Sequence, residues 1–236
     1  MKIGIMQPYF FPYMGYFSLI KYVDRFVFFD TPQYINHGWV NRNRVLKQNG
    51  SSGYITVPVQ KCHRDIAIKD IRISKNFDWR EKIYGQLTVY KRRAPYYNNV
   101  IEFLHTVLDK DYNHSLANLN IETIKSVCRY LEVETVFDVF SEMDVNISEV
   151  SQADEWALEI TNAIGGNIYV NLPGGVSFFD REKYIKQNIE LQFLQSKLPP
   201  YIQRIGHFEK GLSIIDVMMF CNKKEISDML NAFVIF

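Results

Sequence analysis

The sequence predicts an α/β fold: a parallel Rossmann-like sheet with a mixed β-hairpin and helical insertion and a helical C-terminus. Three observations lead there. Apolar runs of strand length at 3–6 and 26–29 bracket a helical segment within thirty residues, the opening of a parallel sheet. Strand–helix–strand order returns between 135 and 194. Between the two, Asn49-Gly50 sits inside a polar turn flanked by two β-prone runs, the signal of a hairpin. We therefore expect one α/β domain over 1–236, its sheet drawn from 1–35 and from about 115–195, with an insertion at 36–114.

The first strand, Ile3 to Met6, ends at Gln7-Pro8, and Pro8 and Pro12 fix the backbone of the loop that follows. Gly15 lets the chain turn closely into a helix whose apolar stripe is Phe17, Leu19, Ile20 and Val23. Phe26 to Phe29 forms the second strand. Trp39 to Lys47 and Tyr54 to Gln60 are the hairpin strands, and Ile66 to Ile73 alternates well enough for another, bulged near 69–70. Asp78 caps a helix over Trp79 to Lys91, and Pro95 opens the next. Ser115 to Tyr130 is a third helix with Leu116, Leu119, Ile124, Val127 and Cys128 inward. A strand at Thr135 to Phe140, a helix at Ser151 to Ile164 stopped by Gly165-Gly166, and a strand at Ile168 to Val170 complete the second half. Phe179 to Gln187 reads as a short helix and Leu191 to Leu194 as a strand. Ser213 to Phe220 and Lys224 to Phe233 read as the closing helices.

A chain of 236 residues, 47% hydrophobic and 22% charged, has the make-up of a soluble globular protein with a sizeable core. No apolar run approaches eighteen residues, so no membrane span is expected. Gln7-Pro8 interrupts the first apolar run, which argues against a signal peptide. Cys62, Cys128 and Cys221 are odd in number and far apart, as suits a reducing cytoplasm rather than a disulfide framework. His37, His63 and His207 have no metal-ligand spacing, and no metal is expected. The formal charge of +1 hides a split: residues 1–100 hold 16 Lys+Arg against 6 Asp+Glu, and residues 101–236 hold 11 against 20. A basic first half attracts phosphates or a nucleotide-linked sugar, unless the two halves simply neutralise each other across an interface. No dense Lys/Arg cluster or recognition module points to nucleic acid.

Ligands of parallel sheets sit beyond the carboxyl ends of the strands. That rule brings Gln7, Tyr9, Tyr13, Tyr16 and Asp30 to one rim. Asp30 is placed to act as general base or to hold a cation, with an ordinary loop cap as the plainer role. Tyr16 stands at a helix start, where free amides favour an anion. In Asn41-Arg42-Asn43-Arg44 the two arginines share one strand face and suit phosphate or carboxylate, while the two amides on the other face suit sugar hydroxyls. A charge-protected edge strand is the competing reading. The loop Asn171 to Gly175 follows a strand and offers backbone amides, though a Gly-Gly loop is usually a turn.

Gln7-Pro8-Tyr9-Phe10-Phe11-Pro12-Tyr13, Gly15-Tyr16-Phe17, Gln33-Tyr34, Gly38-Trp39, Asn41-Arg42-Asn43-Arg44, Thr56-Val57-Pro58-Val59, Ala94-Pro95-Tyr96 and Leu212-Ser213-Ile214-Ile215-Asp216 together resemble the WbqC-like family. The resemblance implies a transferase acting on a nucleotide-linked sugar in O-antigen or capsular polysaccharide synthesis, including glycine or aminoacyl transfer to an amino sugar. On that reading Asp30, Gln7 and Tyr16 are catalytic. Tyr9, Gln33, Tyr34, Trp39, Asn41, Arg42, Asn43 and Arg44 bind the substrate, and a partner glycosyltransferase is a further expectation. More distantly, Tyr13-Met14-Gly15-Tyr16 is similar to the H-x-G-H motif of nucleotidylyltransferases with both histidines replaced by tyrosine. ATP or another nucleotide is the cofactor that likeness implies. A non-catalytic module that binds a sugar nucleotide is the third reading.

Overall fold

A computed structural model describes residues 1–236. Its main sheet has six strands: β1 (Lys2–Met6), β2 (Arg25–Phe28), β5 (Val136–Val139), β6 (Ile168–Asn171), β7 (Glu190–Ser196) and β8 (Phe233–Ile235), in the order β5-β2-β1-β6-β7-β8. The first five are parallel, and β8 runs antiparallel to β7 at one edge. From β1 the chain builds outward to β2 and β5, then returns to lay β6 and β7 on the other side. The direction of winding thus reverses between β1 and β6, and a crevice opens there at the carboxyl ends of the strands.

Alternation along the strands divides the core. Ile3, Ile5, Val27, Tyr169, Leu191 and Phe193 face one side, where α5 (Glu155–Ala163) and α6 (Arg181–Lys186) cover them. Phe26, Phe28, Val170 and Leu194 face the other, joining a core of 49 buried residues. That larger core takes in α1 (Met14–Tyr22), α3 (Tyr97–Leu108), α4 (Leu116–Tyr130), α7 (Ile214–Phe220) and α8 (Lys223–Leu230). Helix α1 is buried from Met14 through Ile20, because it lies between the sheet and the C-terminal helices. Residues 36–114 hold the hairpin β3 (Arg42–Leu46) and β4 (Ser52–Thr56), α2 (Trp79–Leu87) and α3. No helix is long and apolar enough to cross a membrane. Cys62, Cys128 and Cys221 are unpaired.

Caps form where the sequence places them: Asp78 accepts from the Arg80 and Glu81 amides, and Ser115 from Asn118. Three expectations require correction. The run Ile66–Ile73 is a 3-10 turn at Ile68–Asp70 flanked by single bridges (Gln33 with Ala67, Val59 with Ile73), not a strand. Its buried residues Ile68 and Ile71 lie three apart, the period of a 3-10 turn. The last helix stops at Leu230, and Phe233–Ile235 is β8, whose β-prone residues find a partner some forty positions earlier in β7. Strand β3 begins at Arg42, so Trp39 and Asn41 precede it.

Candidate functional site

The crevice between β1 and β6 consists of two adjoining cavities. One, of about 660 Å³, is walled by Gln7 and Tyr9 after β1, Phe29 after β2, Trp156 in the first turn of α5, Asn171 at the end of β6 and Phe179 beyond it. The other, of about 540 Å³, is walled by Tyr13, Trp39, Asn43, Arg44 and Leu198. Met6, Tyr9, Asn171, Gly174 and Gly175 belong to both, so the cavities meet at a shared wall. The first is apolar and aromatic; the second holds the one cation of the cleft, Arg44.

The β1–α1 loop is shaped by side chains from distant parts of the chain. Asn120, fully buried on α4, donates to the carbonyls of Pro8 (2.8 Å) and Val40 (2.6 Å). Asn43 donates to those of Phe10 (3.1 Å) and Phe11 (2.8 Å), and the Ser213 hydroxyl donates to Phe11 as well (2.8 Å). The Tyr16 hydroxyl donates to the Gln7 carbonyl at 2.9 Å. These bonds hold Phe11 at a φ of 40°, a left-handed conformation that costs a non-glycine residue about 1–3 kcal/mol and persists only where its surroundings impose it. Phe10 and Phe11 are thereby sunk into the core, which leaves Gln7, Tyr9 and Tyr13 directed to the cleft. Gly15 is required in this arrangement: a Cβ there would lie 2.5–2.8 Å from the Tyr13 ring, which folds over the start of α1.

The structure separates the expected site residues into three groups. Gln7, Tyr9, Trp39, Asn43 and Arg44 line the cleft. Tyr16, Tyr34 and Asn41 are buried: Tyr16 against Gln7, Tyr34 in the core, and Asn41 donating to the Val57 carbonyl at 3.0 Å. Asp30, Gln33 and Arg42 lie outside the cleft walls. The Asp30 carboxylate, 2% exposed, accepts from the Ser141 hydroxyl (2.6 Å) and amide (3.1 Å), tying the end of β2 to the turn after β5. Gln33 donates to the Arg64 carbonyl, and Arg42 donates to the His37 carbonyl while covering the Tyr54 ring at 4.1 Å. Of the tyrosine pair in Tyr13-Met14-Gly15-Tyr16, only Tyr13 reaches the cleft.

Arg44 donates from Nη2 to the Gly211 carbonyl (3.3 Å) and stands 3.8 Å from Glu209, while its Nε is buried without a hydrogen-bond partner. Tyr9 and Tyr13 have their pKa values raised by burial, and Tyr13 also by its neighbour Tyr9. Both phenols stay protonated at neutral pH and serve as hydrogen-bond donors and acceptors, not as bases. No carboxylate, histidine, cysteine or lysine lines either cavity. The arrangement can stack, hydrogen-bond and hold one negative group; it brings no strong base to the ligand.

Sequence reasoning passed over Trp156, Phe178, Phe179, Leu198 and Gly211, which also wall the cleft. Aromatic residues ordinarily read as core, and only the winding reversal between β1 and β6 signals that the loop after β6 faces β1.

A Mycobacterium tuberculosis protein with the name "Uncharacterized protein Rv1507c" is 26% identical over 219 residues, covering 92% of each chain. No solved structure matches significantly. The model of the WbqC-like protein family matches residues 7–228, from the first cleft residue after β1 into α8, and on that coverage the chain belongs to the WbqC-like protein family.

Proposed function

We propose that the cleft binds a nucleotide-linked sugar, and that the protein serves a transfer step on that sugar in O-antigen or capsular polysaccharide synthesis, such as aminoacyl transfer to an amino sugar. The observation that carries this reading is the joining, at one glycine wall, of an aromatic cavity to a cavity holding Arg44. Each falls within the size range of small-molecule sites. A nucleobase suits the first, between Tyr9, Phe29, Trp156 and Phe179. A diphosphate suits the second cavity beside the junction, where Gly174 is open and Arg44 is the cation of the cleft. The sugar then meets Trp39 and Tyr13, with Asn43 holding the loop behind them. In this scheme Gln7 and Tyr9 orient the reacting group, and Asp30 and Tyr16 support the cleft from behind.

The absence of a strong base from the cleft walls favours a second reading, in which the protein binds the nucleotide sugar without transforming it. A thermal-shift panel of nucleotide sugars, followed by mass spectrometry with ATP and glycine present, separates the two. A raised melting temperature with a new product supports transfer, and a raised melting temperature with no product supports binding alone. If no nucleotide sugar shifts the melting temperature, both readings fail.

A further inference from the structure

We propose a second binding site in the basic groove between the β3–β4 hairpin and the end of α2, where a compact phosphate-bearing anion, such as a di- or triphosphate group, is held. The groove encloses about 720 Å³ and is walled by Lys47 and Tyr54 on the hairpin, Gln86 on α2, and Lys91, Arg92 and Arg93 beyond it. No aspartate or glutamate lines it. None of the four cations takes part in an ion pair anywhere in the chain. Arg93 donates from Nη2 to the Gln48 carbonyl at 2.9 Å, whereas its Nη1 is buried with no partner. A buried guanidinium nitrogen left unsatisfied calls for an acceptor.

Cations at a helix C-terminus complement the backbone dipole, and that accounts for Lys91. It does not account for Lys47, which comes from the hairpin, or for four charges converging without a counter-charge. The walls are also fastened together: Tyr90 accepts from the Leu46 amide (2.8 Å), Gln86 donates to the Tyr54 carbonyl (3.0 Å), and Arg93 reaches Gln48. The groove is therefore formed before any ligand arrives, which lowers the cost of binding. Its concavity suits a compact anion, because a flat anionic surface would touch only the rim. Arginine forks and lysine point charges together suit phosphate oxygens. The site stands apart from the cleft and does not depend on what fills it.

The test is calorimetric titration at low salt with inorganic tripolyphosphate. Wild type should bind one equivalent in this groove, counted apart from any taken up at Arg44 in the cleft, and the affinities compared below are those of the groove. The double variant Lys91→Ala, Arg92→Ala, whose exposed side chains make no hydrogen bond in the chain, should bind about tenfold or more weakly, and Arg44→Ala should stay within about twofold of wild type. Acetylation of Lys47 and Lys91, followed by mass spectrometry, should be slowed by the anion. The proposal is overturned if wild type does not bind. It is equally overturned if Arg44→Ala abolishes binding while the double variant keeps it, which would assign the anion to the cleft. Binding of anionic vesicles or single-stranded oligonucleotides that depends on Lys91 and Arg92, with no binding of tripolyphosphate, would overturn it in favour of those partners.

Discussion

The loops after β1 and after β6 face each other across the cleft, and they are held in opposite ways. Residues 8–13 are clamped from far along the chain: Asn43, Asn120 and Ser213 all bond their carbonyls, and the Ile214 amide donates to Pro12. The hydrogen bonds of residues 172–179 are local turns, with Gly175, Val176, Phe178 and Phe179 donating within five positions, while the two ends are seated by packing: Leu172 in the main core and Phe179 on Tyr169, Tyr184 and Phe193. Val176 and Phe178 remain about half exposed. One wall is thus fixed by the global fold, and the other is free to adapt. Local opening draws on regions with few long-range hydrogen bonds, so of the two walls the middle of the β6 loop, around Val176 and Phe178, is the one expected to adapt to a ligand.

The comparison is most severely tested at Asn120. Asn120→Ala strands two buried carbonyls and leaves a cavity, and should cost about 3 kcal/mol in urea unfolding. A loss under about 1 kcal/mol would mean that the β1 loop does not depend on its distant clamps. The third wall, residues 197–212, gives the next effect. Asp216 is fully buried and accepts from Tyr90 (2.6 Å), Tyr201 (2.5 Å) and Gln203 (2.9 Å), the last two holding this segment. Asp216→Asn turns a donor toward Tyr90, which already accepts from Leu46, and should cost about 1–2 kcal/mol near neutral pH.

Burial raises the Asp216 pKa above the ordinary carboxylate value, outweighing the hydrogen bonds that lower it. The folded state therefore holds this proton more tightly than the unfolded chain does. Its contribution to stability is complete below the unfolded pKa and is lost as pH rises through the higher folded value. Unfolding titrations from pH 4 upward should show this decline in wild type and lack it in Asp216→Asn; parallel profiles would refute it. The smallest energetic effect is expected at Gly174, where an added Cβ meets nothing within 4 Å. Gly174→Leu should change stability by less than about 0.5 kcal/mol, yet crowd both cavities and weaken ligand binding by tenfold or more. Hydrogen exchange sharpens the contrast further: amides of 175–179 should exchange faster than those of Phe10 and Ile214 in the free protein, and slow on ligand addition.

The alternation and capping signals that revealed the fold are local. Ile3, Ile5, Phe26 and Phe28 announce a buried parallel pair, and Asp78 and Ser115 mark helix starts within three residues of the amides they bind. The recurrence of strand–helix–strand announced the second half of a parallel sheet, but the winding reversal that locates the cleft follows from the strand order, which has no local mark. What was hidden lies in partners remote along the chain. Asn43 reads as an amide for sugar hydroxyls until Phe10 and Phe11, 33 and 32 positions away, turn their carbonyls toward it. Asp30 occupies the end of a strand as expected, but its partner Ser141 is 111 positions on. Strand β8 escaped notice because Asn231 ends a helix within three residues of it, and its pairing with β7 has no local mark.

The buried Asp216 has a consequence for how much of the chain is indispensable. Through Tyr201 and Gln203 it moors a stretch that supplies Leu198 and Gly211 to the cleft and Glu209 to Arg44. A fragment ending at Lys197 would retain all five parallel strands and both glycines of the β6 loop, yet would expose α1 on its C-terminal side and leave the Arg44 cavity unroofed. The last forty residues are therefore masonry of the cleft, and on the proposed reading shortening the protein from that end would cost recognition as well as stability.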